Sequence, residues 1–148
     1  MARRSARKLP TIGWREWVSL PDLGLDRIKA KVDTGARTSA LHAIRMETFR
    51  AHGDDRVRFA VHPVQRQSSP TVECEAVMVD ERHVRSSDGR RELRPVIETV
   101  LRIGDRDWPI EVTLTDRALM GFRLLLGRRA VRRKFVVDPG TSWIVSRR

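Results

Sequence analysis

The fold of this chain is decided by one stretch, Ile28-Lys29-Ala30-Lys31-Val32-Asp33-Thr34-Gly35-Ala36. Apolar and charged residues alternate from Ile28 to Val32, which predicts a half-buried strand. The same alternation places Lys29, Lys31 and Asp33 together on one face of that strand. Asp-Thr-Gly then predicts a turn, in which Gly allows close approach of another backbone or an unusual backbone conformation. We therefore expect the carboxylate of Asp33 to stand at the end of a strand.

A second motif lies near the carboxyl terminus, Leu124-Leu125-Leu126-Gly127-Arg128. The apolar run predicts a core strand that ends at the glycine. The residues that follow, 129–133, predict a short helix starting near Arg128. This is the only helix that the sequence predicts.

The two motifs, in this order, resemble those of retropepsins, the single-domain retroviral-type aspartic proteases. The resemblance implies that Asp33, Thr34 and Gly35 form a catalytic loop. It also implies that a second strand, with Leu126, Gly127 and Arg128, braces that loop. In aspartic proteases two Asp carboxylates share one proton, so that one acts as base on a water and the other as acid on the substrate carbonyl.

The resemblance extends to residues 12–18, 29–42, 94–99 and 114–117, which are similar to a bacterial retropepsin-like family. That family long carried the label "ATP-dependent zinc protease". The sequence supports neither the ATP part nor the zinc part of that label, because it has no Walker-type phosphate loop and no His-Glu-x-x-His. The resemblance instead implies a link to neighbouring ATP-grasp ligases, since some members of that family are credited with trimming glutamates that such ligases add to protein tails.

Half of a catalytic dyad is present, because the 148 residues contain a single Asp-Thr-Gly. A homodimer with its two-fold axis between two copies of Asp33 would complete the site. We therefore predict a homodimeric enzyme.

Two cations distinguish the predicted cleft from that of retroviral enzymes. Lys31 occupies a position, two before the Asp, that is usually apolar and lines the substrate pocket. Arg37, directly after Ala36, replaces an Asp that normally pairs with the arginine at position 128. We expect Lys31, Ala36 and Arg37 to bind substrate and to favour acidic side chains. Alternatively, Lys31 points to solvent or pairs with a local acid such as Glu98 or Glu111.

A hairpin is predicted at Ser86-Ser87-Asp88-Gly89, where Asp-Gly marks the turn. It lies between the two motifs, as the substrate-covering flap of retropepsins does, so Asp88 and Gly89 are candidate substrate contacts. The glycine-rich tip of the family flap is not matched. An ordinary surface hairpin is the alternative interpretation.

No metal or cofactor site is predicted. The four histidines (His42, His52, His62 and His83) have no metal-ligand spacing, and the chain has one cysteine. His42 matches the family stretch after the catalytic loop, and we expect it to orient that loop by a hydrogen bond. Cys74, in an alternating run, is expected to be a buried structural thiol.

The composition fits one small domain over residues 9–146, preceded by a basic arm at residues 1–8. No stretch approaches the ~20 apolar residues of a membrane span, and no apolar segment follows the basic start as in a secretory signal. One cysteine fits a reducing compartment, so we expect a cytoplasmic protein that does not enter a membrane.

The net charge of +11 is concentrated at the two ends, with +4 in residues 1–8 and +7 in residues 123–148. Such ends are typical of a solvated surface, of nucleic-acid binding, or of attraction of an acidic substrate. Nucleic-acid binding is least favoured, because aromatic residues are 5% of the chain and no recognition motif occurs.

Short apolar-alternating segments between turn signals predict an all-β protein, and with the resemblance a retropepsin-like closed barrel. The predicted strands are 14–20, 28–32, 56–61, 72–79, 96–103, 108–114, 122–126, 135–137 and 143–145. The sequence thus predicts an aspartic endopeptidase that acts on acidic, glutamate-rich peptide tails. The alternatives are a non-catalytic module that binds acidic peptides or nucleic acid, and a metal-dependent protease.

Overall fold

A computed structural model of the chain describes residues 8–85 and 88–146. The predicted basic arm, apart from Lys8, and Ser86 and Ser87 of the predicted hairpin lie outside these residues. The described residues are mostly β-strand, which confirms the predicted class. The elements are β1 (Thr11–Gly13), β2 (Arg15–Leu20), a 3-10 turn (Pro21–Leu23), β3 (Leu25–Asp33), β4 (Ser39–His42), β5 (Ile44–Ala51), β6 (Asp54–Val61), β7 (Val72–Arg85), β8 (Arg91–Ile103), β9 (Arg106–Thr115), β10 (Leu124–Gly127), α1 (Arg128–Val131) and β11 (Val136–Asp138). Within the described residues, no helix is both long and apolar enough to cross a membrane.

Six strands close into a barrel in the order β2, β3, β10, β4, β9 and β8. The closing contact pairs Ser19 of β2 with Arg102 of β8. From β8 the sheet also continues outward through β7, β6 and β5, while β1 pairs separately with β11. This is the closed retropepsin-like barrel that the sequence predicted.

The core follows from the alternation seen in the sequence. On β3, Ile28, Ala30 and Val32 are buried, whereas Lys29 and Lys31 on the opposite face are only partly covered. All four residues of β10 are buried, because this strand runs between β3 on one side and β4 on the other. An apolar run without alternation is what such a central strand requires.

Several local predictions were wrong or incomplete, and the short strands β1 and β4 were not predicted. β5 was missed because its residues alternate only between half-buried and exposed, with charges among them. Residues 143–145 are not a strand. They form an irregular segment in which Trp143 has a positive φ of 57°. The predicted helix is present but spans only Arg128–Val131.

That irregular carboxyl-terminal segment is held by a buried acid, Glu16 of β2, whose exposure is 0%. Its carboxylate accepts backbone N–H bonds from Gly13 (2.6 Å), Ile144 (2.9 Å) and Ser146 (3.0 Å), and the Ser146 hydroxyl donates to it as well. Burial alone would raise the pKa of Glu16, but these donors outweigh burial and leave the pKa below its usual value. The ionised carboxylate therefore joins the two ends of the fold.

Replacing Glu16 with Gln should lower the free energy of unfolding at neutral pH by at least about 2 kcal/mol, because the amide carries hydrogens where the site supplies donors. Since the folded pKa lies below the unfolded value of about 4.5, the stability from Glu16 is present above that pH and lost as the pH falls through the folded pKa. Urea titrations from pH 7 to pH 3 should show the gap between wild type and variant closing in acid. A constant gap would contradict an ionised Glu16.

Candidate active site

Asp33 is the last residue of β3, and a tight turn fixes its carboxylate. The Ala36 N–H donates to the Asp33 carbonyl at 3.1 Å, and the Gly35 N–H donates to Asp33 Oδ1 at 3.1 Å. Thr34 and Gly35 are exposed in the single chain. Gly35 does not have the unusual backbone conformation that the sequence suggested, since its φ is not positive. A Cβ there would lie 3.3 Å from Asp33 Oδ1, so the glycine leaves room for the carboxylate.

β10 lies in parallel beside this turn, with Gly127 opposite Asp33 and Leu126 opposite Val32. The Arg128 N–H donates to the Ala36 carbonyl at 2.8 Å. Gly127 is required by close packing, because a Cβ at this position would lie 2.6 Å from the backbone of Thr38. The loop 33–38 is thus fixed from both ends.

The Arg128 side chain also contacts the loop. Its Nη1 donates to the Gly35 carbonyl at 3.2 Å, where retroviral enzymes are expected to have an Arg–Asp pair. Arg37 itself is exposed, and its carbonyl accepts a hydrogen bond from the Arg129 N–H at 3.3 Å. Because Arg128 bonds to the Gly35 carbonyl, it does not need an acidic partner at position 37, where this chain has Arg37.

Asp33 lines a cleft of about 770 Å³. Its lining residues come from the loop after β3, from β4, β9 and β10, from both arms of the β7–β8 hairpin and from the segment 117–120. The lining residues are Asp33, Ala36, Thr38, Ala40, Val84, Arg85, Asp88, Arg94, Thr113, Arg117, Ala118, Leu119, Met120 and Leu125.

The predicted hairpin therefore shares a cleft with Asp33. Asp88 lines the cleft, and its Oδ2 lies 3.5 Å from Nη1 of Arg117, another lining residue. Gly89 has a φ of 84°, as expected of a turn glycine. The role of the hairpin as a substrate-covering flap stays a prediction.

The cations of the cleft differ from those that the sequence singled out. Neither Lys31 nor Arg37 is among the lining residues. Lys31 is close to the cleft, because its Nζ lies 3.3 Å from Sδ of the lining residue Met120. The alternative partner Glu111 binds Arg82 instead, at 2.7 Å. The lining cations are Arg85, Arg94 and Arg117. The sequence did not single them out. Arg94 and Arg117 lie within stretches that carry the family resemblance, but no spacing or charge pattern distinguishes them from the other arginines of the chain.

His42 does not contact the catalytic loop. Burial, with Arg123 and His62 nearby, lowers the pKa of His42, although the carbonyl of Asp116 opposes this effect. Across residues 8–85 and 88–146, no hydrogen bond joins its ring to residues 33–37, and Nδ1 is buried without a partner. The role of orienting the loop is therefore not seen in the single chain.

Metal ligands are not clustered in the described part of the chain, where no three His, Cys, Asp or Glu side chains lie together as a metal would require. Cys74 is buried as predicted, and burial raises the pKa of its thiol to about 11. A thiol with that pKa stays protonated at neutral pH and is a poor nucleophile.

Comparison with known proteins identifies the family. Residues 11–148 match the RimB-like family, described as "Retropepsin-like aspartic endopeptidase RimB". The chain belongs to the RimB-like family. The crystal structure of Lpg0085 from Legionella pneumophila subsp. pneumophila, a protein of unknown function (DUF785), is similar with a TM-score of 0.79 and 28% identity. That match covers 93% of this chain and 99% of Lpg0085.

Curated relatives of this RimB-like chain carry a different name. Proteins named "Probable alpha-L-glutamate ligase" from Shewanella pealeana and Desulfotalea psychrophila are 45% and 42% identical over 132 and 139 residues. These matches cover 89% and 94% of this chain but only 29% and 30% of the ligases. The chain therefore corresponds to under a third of the length of those proteins.

Substituting Gly127 with Ala should disrupt the site, because the added methyl would overlap the Thr38 backbone, which cannot move without shifting the catalytic loop. We expect a loss of roughly 2–4 kcal/mol in the free energy of unfolding. Gly53→Ala offers a comparison, since nothing lies within 4 Å of its Cβ and only its positive φ is strained. Thermal melts of both variants test this, and a Gly127→Ala protein as stable as wild type would contradict the packing argument.

Proposed function

We propose that this chain is an aspartic endopeptidase whose active site forms when two copies place Asp33 side by side across a two-fold axis. The observation that carries the proposal is the geometry at Asp33. Its carboxylate ends β3 in an exposed, braced turn and lines a cleft to which both arms of the β7–β8 hairpin also contribute residues. Membership of a family described as retropepsin-like aspartic endopeptidases supports the same chemistry.

In the proposed reaction, the ionised Asp33 of one copy takes a proton from a water held between the two carboxylates. The protonated Asp33 of the other copy donates its proton to the carbonyl oxygen of the substrate. The water oxygen bonds to the carbonyl carbon and gives a tetrahedral intermediate. The carbon–nitrogen bond then breaks as the nitrogen takes the proton that the first Asp33 removed from water, while the second Asp33 recovers a proton from a hydroxyl of the intermediate. An amine and a carboxylic acid leave, and the dyad again shares one proton. The Gly35 N–H, 3.1 Å from Asp33 Oδ1, holds one carboxylate oxygen in place during these steps.

We infer that the substrate is an acidic peptide, such as a glutamate-rich protein tail. Three arginines line the cleft, and arginine is the side chain best suited to bind carboxylates. The names of the curated relatives also support this inference, because a glutamate ligase makes the kind of product that such a peptidase would remove. A reducing, cytoplasmic location fits the lone buried Cys74.

Substituting Asp33 with Asn should abolish peptide hydrolysis and leave the thermal melt near that of wild type, since Asn is nearly isosteric but cannot act as the base. If two chains form one site, wild-type activity per chain should rise with protein concentration until dimerisation is complete. The readout is cleavage of a glutamate-rich peptide followed by mass spectrometry. Wild-type turnover by the Asn variant would overturn the proposal. An inactive wild type that binds the peptide would favour a non-catalytic binding module.

Hydrolysis should survive incubation with a strong chelator, because two carboxylates activate water without a cation. The measurement is the rate of peptide cleavage before and after dialysis against EDTA, followed by addition of zinc. Activity that is lost on chelation and restored by zinc would revive the metal-dependent alternative.

A further inference from the structure

The guanidinium of Arg94 is buried, and its hydrogen-bond donors are not all paired. Its side chain is 11% exposed. Among the residues that the structure describes, its ion-pair partner is Glu92, 3.5 Å from Nη2, and its Nε has no hydrogen-bond partner. Buried Glu16, by contrast, accepts hydrogen bonds from five different donors. A buried guanidinium with unused donors costs stability unless something else binds it.

The location of Arg94 indicates what that ligand is, because Arg94 lines the same cleft as Asp33. Glu92, which does not line the cleft, forms ion pairs with two arginines that do, Arg94 and Arg117. Its Oε1 accepts the Thr115 hydroxyl at 2.8 Å, and its Oε2 lies 2.9 Å from Arg117 Nε. One carboxylate thus fixes two cleft arginines, and Arg94 retains free hydrogen-bonding capacity.

We propose that Arg94 binds an acidic side chain of the substrate in the Asp33 cleft and selects glutamate over glutamine. The proposal rests on the proposed peptidase function and assigns its specificity to one residue. A guanidinium presents paired donors that match the two oxygens of a carboxylate. A glutamine side chain offers one oxygen and places an NH2 group against the other donors, which leaves them unpaired.

Arg94 is better suited to this role than the two other cleft arginines. Arg117 already contacts both Asp88 and Glu92, so a substrate would have to displace existing ion pairs. Arg85 is exposed, and water weakens its attraction for a carboxylate. The buried position of Arg94 makes its interaction with a bound carboxylate the strongest of the three.

The experiment compares two peptides that differ only in having Glu or Gln at each acidic position. Wild type, Arg94→Gln, Arg94→Lys and Arg82→Gln are measured for kcat/KM with both. Arg82 is the matched control, because it lies directly opposite Arg94 in the β7–β8 ladder and carries the same charge, but does not line the cleft. The Arg82→Gln variant shows how much kcat/KM changes when one positive charge near the cleft is removed without removing a lining residue.

Wild type should prefer the Glu peptide. Arg94→Gln should reduce that preference roughly 10- to 100-fold, mainly through slower cleavage of the Glu peptide, since a charge-assisted pair is lost. Arg94→Lys keeps the charge but not the paired donors and should lose part of the preference. Arg82→Gln should keep the wild-type ratio. An unchanged ratio in Arg94→Gln, or equal cleavage of both peptides by wild type, would overturn the assignment while leaving the peptidase proposal intact.

Binding measurements separate failure of the two proposals. In the Asp33→Asn background, calorimetry should show tighter binding of the Glu peptide, and this difference should disappear when Arg94→Gln is added. That result would support Arg94 even if wild type proved inactive as a peptidase. Thermal melts verify folding. If the Arg94→Gln protein does not fold, the Arg94→Lys variant tests the proposal instead. A folded Arg94→Lys protein that keeps the full preference for the Glu peptide would overturn the proposal.

Discussion

The whole site depends on the position of β10 between β3 and β4. Its parallel pairing with β3 sets Gly127 opposite Asp33, and its antiparallel pairing with β4 places the strand after the loop. The chain between β3 and β4 therefore has little freedom, and the Arg128 N–H holds its middle at the Ala36 carbonyl. One strand thus joins β3 to β4 within the barrel, forms part of the core and positions the turn that carries the carboxylate. Only glycine at position 127 allows the backbones to approach this closely.

A second constraint is the electrostatic arrangement around the cleft. Exposed ion pairs contribute little to stability because water and salt screen them. The pair of Glu92 and Arg94 differs, since both side chains are largely covered. Its effect is to hold positive charge in place before any ligand arrives, so that binding requires little reordering of side chains. The cleft thus combines the carboxylate of Asp33 with cations whose positions are fixed by neighbouring acids.

The parts that the sequence predicted are those encoded by local pattern. The alternation from Ile28 to Val32 and the apolar run before Gly127 each define a strand and its end within a few residues. The burial of Glu16 and Arg94 could not be predicted in this way. Both lie in segments where a charged residue usually faces solvent, and their burial depends on partners supplied by other elements. β5 was missed for a different reason, because its residues are only half-buried or exposed and carry charges among them, so that they show no clear apolar alternation.

The hydrogen bonds that Glu16 accepts have a consequence for how the protein folds during synthesis. The donors to Glu16 in residues 144–146 lie 128–130 positions further along the chain. During synthesis, β2 emerges from the ribosome long before these donors exist. Until they arrive, the Gly13 N–H alone of the donors described above is available, and burying the carboxylate with so few partners is too costly, so it must stay in water. The native packing around β2 is therefore completed only after translation has reached the last residues of the fold, and a nascent chain stalled earlier leaves that edge open.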